Sequence, residues 1–340
     1  MSRFVLRRLL SSMVVIVVII TVSLWITRQA PSNPCLKERE ANTCVCVKEH
    51  ALDRPVFPIH IGSPLQPLKG CEYWQPNSKL ALGPITLIGL SDWGNTQFAV
   101  YMKTLMSGSL GKSMVTERTV IETLKSGLPY TIHLGIQALI VALFIGIPAG
   151  LFAGLRQNTL PDYSVMTVAM IGVSVPNFVL GPLLIMLFSL KLGWFRAGGW
   201  ESWADSILPS ITLGLFYAAY IARLTRGGML EVIRKDYIRT ARSKGLTEKM
   251  VVYRHALKGA LLPVVSYLGP AFAALLTGSV VVEEIFNLPG VGTHFVRSAL
   301  NRDYNMVLGT IILYSALLVL LNLVVDILYT VLDPRVSYDE

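Results

Sequence analysis

The sequence contains few residues whose types and spacing suit catalysis. The run GSLGKS at 108–113 ends like a phosphate-binding loop, but such a loop requires a glycine at the position that Met106 occupies. The sequence has no His-Glu-x-x-His zinc helix and no Gly-x-Ser-x-Gly nucleophile elbow, and its five histidines are scattered. We therefore expect no catalytic centre, no metal site and no cofactor in this chain, and a membrane-embedded hydrolase is a poor candidate.

The four cysteines lie together in one hydrophilic segment and suggest disulfide chemistry. Cys44 and Cys46 are too close to bond to each other easily, which leaves Cys35 and Cys71 each to take one of them. A metal or iron-sulfur site is the alternative, although the spacing matches no usual ligand pattern. Two disulfides would staple this proline-rich loop and place it in an oxidising compartment.

Ionisable residues are scarce inside the apolar runs. Glu283 and Glu284 lie near the end of one run, and Asp326 lies towards the end of the last. Asp326 either pairs with a neighbouring helix or takes part in ion coupling. A self-contained ion-coupled secondary transporter that uses these three carboxylates is therefore the alternative function.

A short basic segment, DYIRTARSKGL at 236–246, has helical spacing. Asp236 is a good N-cap, residues 237–244 can form about two turns, and Gly245 fits the C′ position, where a positive φ is needed. Thr247 then caps a second helix. The sequence predicts a short helix, a glycine corner and a further helix.

The short helix carries a small contact patch with an apolar centre and a basic rim. Tyr237, Ala241 and Lys244 share one face, with Ile238 and Arg242 beside it. Such a patch could lie on anionic lipid or dock to a cytoplasmic partner. The glycine corner slightly favours the partner, because lipid does not require a fixed shape.

The elements that must position these residues are membrane helices. The chain has 340 residues, of which 53% are hydrophobic and 15% are charged, and its formal charge is +9. Lys and Arg cluster at the ends of apolar runs, so nucleic-acid binding is not expected. Six runs are long enough to cross a membrane, at 9–26, 131–155, 165–190, 207–224, 260–282 and 307–332.

The basic segments fix the predicted orientation. The N-terminus, Arg156 and the loop at 223–258 fall on one side, which the positive-inside rule makes the cytoplasm, together with the C-terminal tail. The first run could be a signal peptide, but its apolar core is long and no small-x-small cleavage site follows, which favours a retained anchor. The predicted parts are the cytoplasmic end and first span (1–28), an extracytoplasmic loop (29–128), a five-helix core (129–332, with a basic loop at 229–258) and a cytoplasmic tail (333–340).

Glycine and proline are frequent within the predicted spans. Gly146, Gly150 and Gly154 recur every four residues and so share one helix face, where a neighbouring backbone can approach closely. We expect this face to pack against another helix.

Several motifs, in order, resemble the permease subunits of binding-protein-dependent ABC importers, in the oligopeptide branch. The motifs are RFVLRRLL, DYIRTARSKGL, RHALKGALLPVVSYLGPAF, TGSVVVEEIFNLPGVG and ALNRDYNMVLG. The resemblance runs from end to end and is weakest at about 35–101. It implies an all-α membrane protein of six transmembrane helices, with a large extracytoplasmic loop between the first two and a cytoplasmic coupling helix between the fourth and fifth.

The resemblance also assigns site residues. The coupling segment, which would sit in a cleft of a cytoplasmic ATPase, would comprise Tyr237, Arg239, Thr240, Ala241, Arg242, Lys244, Gly245 and Leu246. Arg239 and Thr240 stand where the wider importer pattern Glu-Ala-Ala-x-x-x-Gly has Glu and the first Ala, which resembles the peptide branch's own variant. Candidates for contact with the binding protein or the outer gate are Glu283, Glu284, Arg302 and Asp303.

The implied assembly is a bacterial inner-membrane importer. This chain would pair with a second homologous permease, two ABC ATPase subunits that bind ATP and Mg, and an extracytoplasmic peptide-binding protein, all surrounded by membrane lipid. The chain itself would provide the path and would carry no nucleotide site. Oligopeptides are the implied cargo, while dipeptides, nickel chelates and oligosaccharides remain open.

Overall fold

The computed structural model describes residues 14–24, 26, 59–61, 79–82, 85–88, 96–116 and 118–332, and for the strands and residues 325–332 it describes the backbone only. Cys35, Cys44, Cys46 and Cys71 lie outside the described residues, as does the side chain of Asp326. The disulfides therefore stay a prediction.

The described chain is built mainly from helices. In chain order they are α1 (Val14–Leu24), α2 (Gln97–Met106), α3 (Val120–Leu155), α4 (Leu160–Ser174), α5 (Asn177–Lys191), α6 (Ile207–Val232), α7 (Asp236–Ser243), α8 (248–260), α9 (Leu262–Gly278), α10 (Val280–Ile285), α11 (Val291–Asn301) and α12 (Tyr304–Leu332). Two stretches have π-helical hydrogen bonding, Ile185–Lys191 within α5 and Val251–Ala256 within α8.

A small antiparallel sheet forms within the segment between α1 and α2. Its strands are β1 (Ile59–Ile61), β2 (Lys79–Leu82) and β3 (Ile85–Ile88), in the order β1-β3-β2. This sheet is not among the elements predicted from the sequence. The elements long enough to cross a membrane are helical, as predicted.

Four helical stretches in the described residues are long and apolar enough to cross a membrane: Val120–Leu155, Trp203–Val232, Leu262–Ile285 and Tyr304–Val324. They correspond to the second, fourth, fifth and sixth predicted spans. The first predicted span is described as a helix only over Val14–Leu24, which is too short to cross by itself. The described residues thus contain four spans, or five if the bent pair α4 and α5 forms one.

The third predicted span, 165–190, is not one straight helix. Its two halves, α4 and α5, are bent by 104°. Val175 between them is extended, with φ −82° and ψ 117°, because the ring of Pro176 disfavours helical backbone in the residue before it. Each half spans only about 22 Å, less than the hydrocarbon thickness of about 30 Å.

Two helices run past the limits of their apolar runs. α3 begins at Val120, inside the segment predicted as extracytoplasmic loop, and α6 continues to Val232 rather than ending near Leu224. Hydropathy marks only the part of a helix that suits hydrocarbon, whereas backbone hydrogen bonds can continue into water.

The described chain divides into two compact units. One comprises Met1–Ser126 and His294–Ala316, and in it Ile20, Leu24, Tyr101 and Leu308 form a buried cluster. The other comprises Gly127–Thr293 and Leu317–Glu340 and holds the larger apolar core.

Close packing of α3 on α6 organises the larger unit. A methyl group on Gly146 would lie 2.6 Å from the Ala218 carbonyl oxygen, and one on Gly154 would lie 2.8 Å from the Met229 Cβ. Gly150 packs equally closely, on the backbone of α6. The predicted role of this glycine face in helix packing is confirmed.

Candidate functional site

The predicted basic helix forms as α7, with its start displaced by one residue. Lys235, not Asp236, occupies the N-cap position, with an extended backbone at ψ 151°, and it makes no side-chain cap bond. Asp236 lies instead in the first turn, where a carboxylate interacts favourably with the positive end of the helix dipole.

The glycine corner after α7 is present as predicted. Gly245 has a φ of +75°, and its N–H donates to the Arg242 carbonyl at 2.9 Å. Thr247 precedes α8 with an extended backbone, although its side chain makes no cap bond. Residues other than glycine rarely adopt this conformation, so the chain needs glycine to turn here.

The apolar centre of the predicted contact patch faces the chain itself, which corrects the prediction. Ile238 and Ala241 are buried in a cluster with Met229 and Val232 of α6, and Leu246 packs partly against the same cluster. Helical periodicity predicts which residues share a face, but it does not predict that this face packs against other helices of the same chain.

The outward side of α7 is polar and basic. We call the exposed residues Tyr237, Arg239, Thr240 and Lys244 the coupling surface. Arg239 lies 3.6 Å from Asp236, and both side chains are largely in solvent, so this pair contributes little rigidity.

Arg242 braces the corner instead of projecting from it. Its guanidinium donates to the Glu248 carboxylate at 2.6 and 3.2 Å, across the turn at Gly245. The Arg242 hydrogen bond lowers the pKa of the Glu248 carboxyl below its ordinary value, and Glu248 raises the pKa of Arg242 in turn. The ion pair connects α7 to the start of α8 across the corner, with a modest contribution because both side chains are largely exposed.

A second close contact joins the basic loop to α6. Gly228 of α6 packs on the backbone of Ala260, where an added methyl group would lie 3.1 Å from the Ala260 Cα. The Tyr237 hydroxyl reaches the same region, at 3.1 Å from where a Gly259 methyl would lie. The coupling surface is therefore joined to the end of α6 both through α7 and through the end of α8.

An ion pair that the sequence analysis missed lies near this end of α6. Arg226 donates to both carboxylate oxygens of Asp162, at 2.6 and 2.7 Å, and the Asn158 N–H donates to the same carboxylate at 3.0 Å. The Asp162 side chain is 1% exposed and that of Arg226 is 25% exposed. The pair ties the first turn of α4 to α6, and the acidic residue directly after Pro161 was the only sequence signal for it.

At the opposite end of the larger unit, Glu283 organises the Pro-Gly turn. Its buried carboxylate accepts hydrogen bonds from the Ser279 hydroxyl and the Gly292 N–H, both at 2.7 Å. Gly290 packs directly on this carboxylate, with no room for a side chain. Glu284, the next residue, is half-buried.

In the smaller unit, Asp303 is likewise buried, and it accepts hydrogen bonds from Ser113, from the Met114 N–H at 3.1 Å and from the Met306 N–H at 3.2 Å. Arg302 is exposed, with a φ of +62°. Ser113 belongs to the run GSLGKS, so that run serves a structural contact. No three His, Cys, Asp or Glu side chains among the described residues converge as metal ligands would.

Comparison with known proteins gives a consistent family assignment. Residues 146–338 match the model of the binding-protein-dependent transport system inner membrane component. The chain is similar to the oligopeptide transport system permease protein OppB of Salmonella typhimurium strain LT2, with 41% identity over 99% of this chain and 100% of OppB. It is also similar to the dipeptide transport system permease protein DppB of Bacillus subtilis strain 168, with 34% identity over 99% of this chain and 98% of DppB.

A solved structure shares the fold. A chain of the methionine ABC transporter MetNI, in an inward-facing conformation, superposes with a TM-score of 0.52 at 20% identity and covers 63% of this chain and 97% of its own length. At that identity the likeness concerns the fold alone.

Proposed function

The chain belongs to the family of inner-membrane components of binding-protein-dependent transport systems, and from this premise we propose that it is the permease subunit of an ATP-driven peptide importer. The observation that carries the proposal is the 41% identity to an oligopeptide permease along practically the whole chain. The protein is a transport component and not an enzyme, because ATP hydrolysis in this family occurs in separate subunits.

The proposed assembly contains a second homologous permease subunit, two ATPase subunits that bind ATP and Mg, and an extracytoplasmic peptide-binding protein. The chain would cross the bacterial inner membrane six times, with α1 as part of the first span and the bent pair α4 and α5 as the third. Both termini would then lie in the cytoplasm, and the segment at 29–128, with its cysteines, would lie outside.

The coupling surface is proposed to dock into a cleft of an ATPase subunit. Tyr237, Arg239, Thr240 and Lys244 are exposed, and two of them are basic, while Ile238 and Ala241 beneath them are buried against α6 and α8. ATP-driven closure of the ATPase subunits would thus move the end of α6 together with α7.

The candidates for contact with the binding protein or the outer gate fall into a buried group and a more exposed group. Glu283 and Asp303 are buried acceptors, and we propose that they hold the outer turns in shape. Glu284 and Arg302 retain access to solvent, so they are the better candidates for contact with the binding protein. Oligopeptides are the proposed cargo.

Reconstitution tests this function against the self-contained secondary transporter. In proteoliposomes, the chain together with its partner permease, ATPases and binding protein should take up a labelled oligopeptide only with ATP. The chain alone should take up none. Uptake by the chain alone, driven by a proton or sodium gradient, would refute the proposal.

Charge reversal tests the docking surface. The double variant Arg239→Glu, Lys244→Glu should lose most ATPase binding in a pull-down and most ATP-dependent uptake, because two exposed basic contacts are inverted. Lys191→Glu, an exposed basic residue at the end of α5, is the matched control and should retain both activities. Unchanged ATPase binding in the double variant would exclude this surface as the docking site.

A further inference from the structure

One stripe of α6 stays exposed although the rest of the helix is enclosed. α6 is the most buried of the long apolar helices in the described residues, yet Tyr220, Arg223 and Gly227 are exposed at spacings of three and four. These three positions lie on one helical face. Within the described residues, Arg223 forms no ion pair.

The neighbouring face of α9 is unusual in a different way. Pro270, Ala274 and Gly278 are its exposed residues over two turns, and Tyr267 lies one turn before them on the same side. The ring of Tyr267 packs on that of Tyr220, with centroids 4.5 Å apart and planes inclined by 31°. Two helices thus contribute to one continuous face with an aromatic pair at its centre.

This composition differs from a lipid-facing surface. On α3 the exposed face consists of large apolar side chains, with Ile136 at 45%, Ile140 at 58% and Phe144 at 80% exposure. The exposed residues of α9 are instead small residues and Pro, and those of α6 include an arginine, a composition typical of faces turned towards protein or a water-filled cavity.

The depth of the tyrosine pair can be read from the α6 backbone. Gly228, which packs on Ala260, marks the cytoplasmic end of the α6–α9 pair in the proposed topology. At about 1.5 Å per residue, Arg223 lies about 8 Å and Tyr220 about 12 Å further into the membrane. Arg223 therefore lies near the cytoplasmic end of this face, where its long side chain can reach water, and Tyr220 lies about one turn deeper.

We propose that this face contacts the translocating peptide. We define it as the path face, consisting of Tyr220, Arg223, Tyr267, Pro270, Ala274 and Gly278. The inference rests on the proposed function and adds to it the residues that the cargo touches.

The chemistry of the path face suits a peptide with a free C-terminus. The two tyrosine rings present flat surfaces and hydroxyls that can contact peptide planes and apolar side chains. The guanidinium of Arg223 can bind a carboxylate through two parallel hydrogen bonds, and every unmodified peptide ends in one. The small residues of α9 leave room for side chains of varied size.

Photocrosslinking tests the placement directly. Benzoylphenylalanine is placed at Tyr220 or Tyr267 in the complete reconstituted complex, and at Phe144 as the matched exposed aromatic position on α3. During ATP-driven uptake of radiolabelled tetra-alanine, the first two positions should crosslink to the peptide and Phe144 should not. Crosslinks from Tyr220 and Tyr267 only to the second permease or only to lipid would overturn the inference.

A selectivity measurement tests Arg223. Uptake of tetra-alanine with a free C-terminus is compared with that of the amidated peptide, each at a concentration that saturates the binding protein. Arg223→Gln should lower the ratio of free to amidated uptake by about tenfold, the effect of losing a charge-assisted hydrogen bond, and Arg223→Lys, which keeps the charge but not the two parallel hydrogen bonds, should lower it less. Lys191→Gln, the matched control, should leave the ratio unchanged.

The outcomes separate this inference from the proposed function. If the intact complex takes up neither peptide, the proposed function fails. If it takes up peptide while Arg223→Gln keeps the native ratio and no crosslink to peptide forms, the proposed function stands and only the path face is wrong.

Discussion

The Asp162–Arg226 pair allows a quantitative test of how α4 is held to α6. The perturbations are Arg226→Gln, which removes the charge and shortens the side chain, Asp162→Asn, which is isosteric, and both together. The pair has two short hydrogen bonds, and its carboxylate is almost fully enclosed. Each single change therefore leaves one charge without its partner. Arg226→Gln leaves an enclosed carboxylate, and Asp162→Asn leaves a partly exposed guanidinium.

The expected free energies of unfolding follow from the burial of each partner. Arg226→Gln leaves the Asp162 carboxylate enclosed with the Asn158 N–H as its remaining strong donor, so we expect a cost of about 3 kcal/mol, at the low end for a broken buried pair. Asp162→Asn should cost about 2 kcal/mol, because the partly exposed Arg226 can turn to water. The double variant should cost about 2–3 kcal/mol, well below the sum, because no buried charge remains.

The assay is SDS-induced unfolding in mixed micelles, followed by tryptophan fluorescence. A parallel cycle on the exposed pair Arg196 and Glu201, whose side chains are 50% and 71% exposed, serves as the control. That cycle should show a coupling energy well below that of the Asp162–Arg226 pair, because water screens both charges. If the losses in unfolding free energy of the two single variants sum to that of the double variant within about 0.5 kcal/mol, Asp162 and Arg226 do not stabilise the fold as a pair.

Further predictions use the same assay unless stated. Gly150→Ala should lower the free energy of unfolding by about 1–3 kcal/mol, because its methyl group would overlap the α6 backbone, whereas Gly227→Ala, which meets open space, should not. The methyl group of Gly245→Ala would meet no atom, but the alanine would have to keep a positive φ, which should lower the free energy of unfolding by about 1–2 kcal/mol. The same variant should weaken ATPase binding in a pull-down. Glu283→Gln should cost about 1–3 kcal/mol, because an amide group would face two hydrogen-bond donors in place of the carboxylate. The pKa of Glu248 is lower in the folded chain than its ordinary value of 4.5, so its ion pair should stabilise the fold by less than about 1 kcal/mol above that pH. The difference in stability from Glu248→Gln should vanish as the pH falls through the folded pKa.

Features set by local backbone chemistry could be predicted from the sequence. The helix at 236–243 and the positive φ of Gly245 depend on neighbouring residues, so the pattern DYIRTARSKGL indicated both. The spacing of Gly146, Gly150 and Gly154 similarly defined a packing face, because only small residues permit so close an approach.

Features set by tertiary contacts could not be predicted in this way. Periodicity grouped Ala241 with Tyr237, but only the fold shows that Ala241 faces inward. The hydropathy of 165–190 is continuous across the bend at Val175, and proline is too common in membrane helices to mark a break by itself. Asp162 and Arg226 are 64 residues apart, so nothing local relates them.

The burial of α7 determines how the chain responds to a force on the coupling surface. Separating α7 from both α6 and α8 would expose Ile238, which is fully buried, and Ala241, at a cost of about 2–4 kcal/mol. The Arg242–Glu248 brace and the contact of Gly228 with Ala260 would have to change as well. Work below that sum leaves α7 attached, so we expect it to displace α8 and the end of α6 together with α7. We expect the glycine contacts to pass this displacement to α3 and the Asp162–Arg226 pair to pass it to α4.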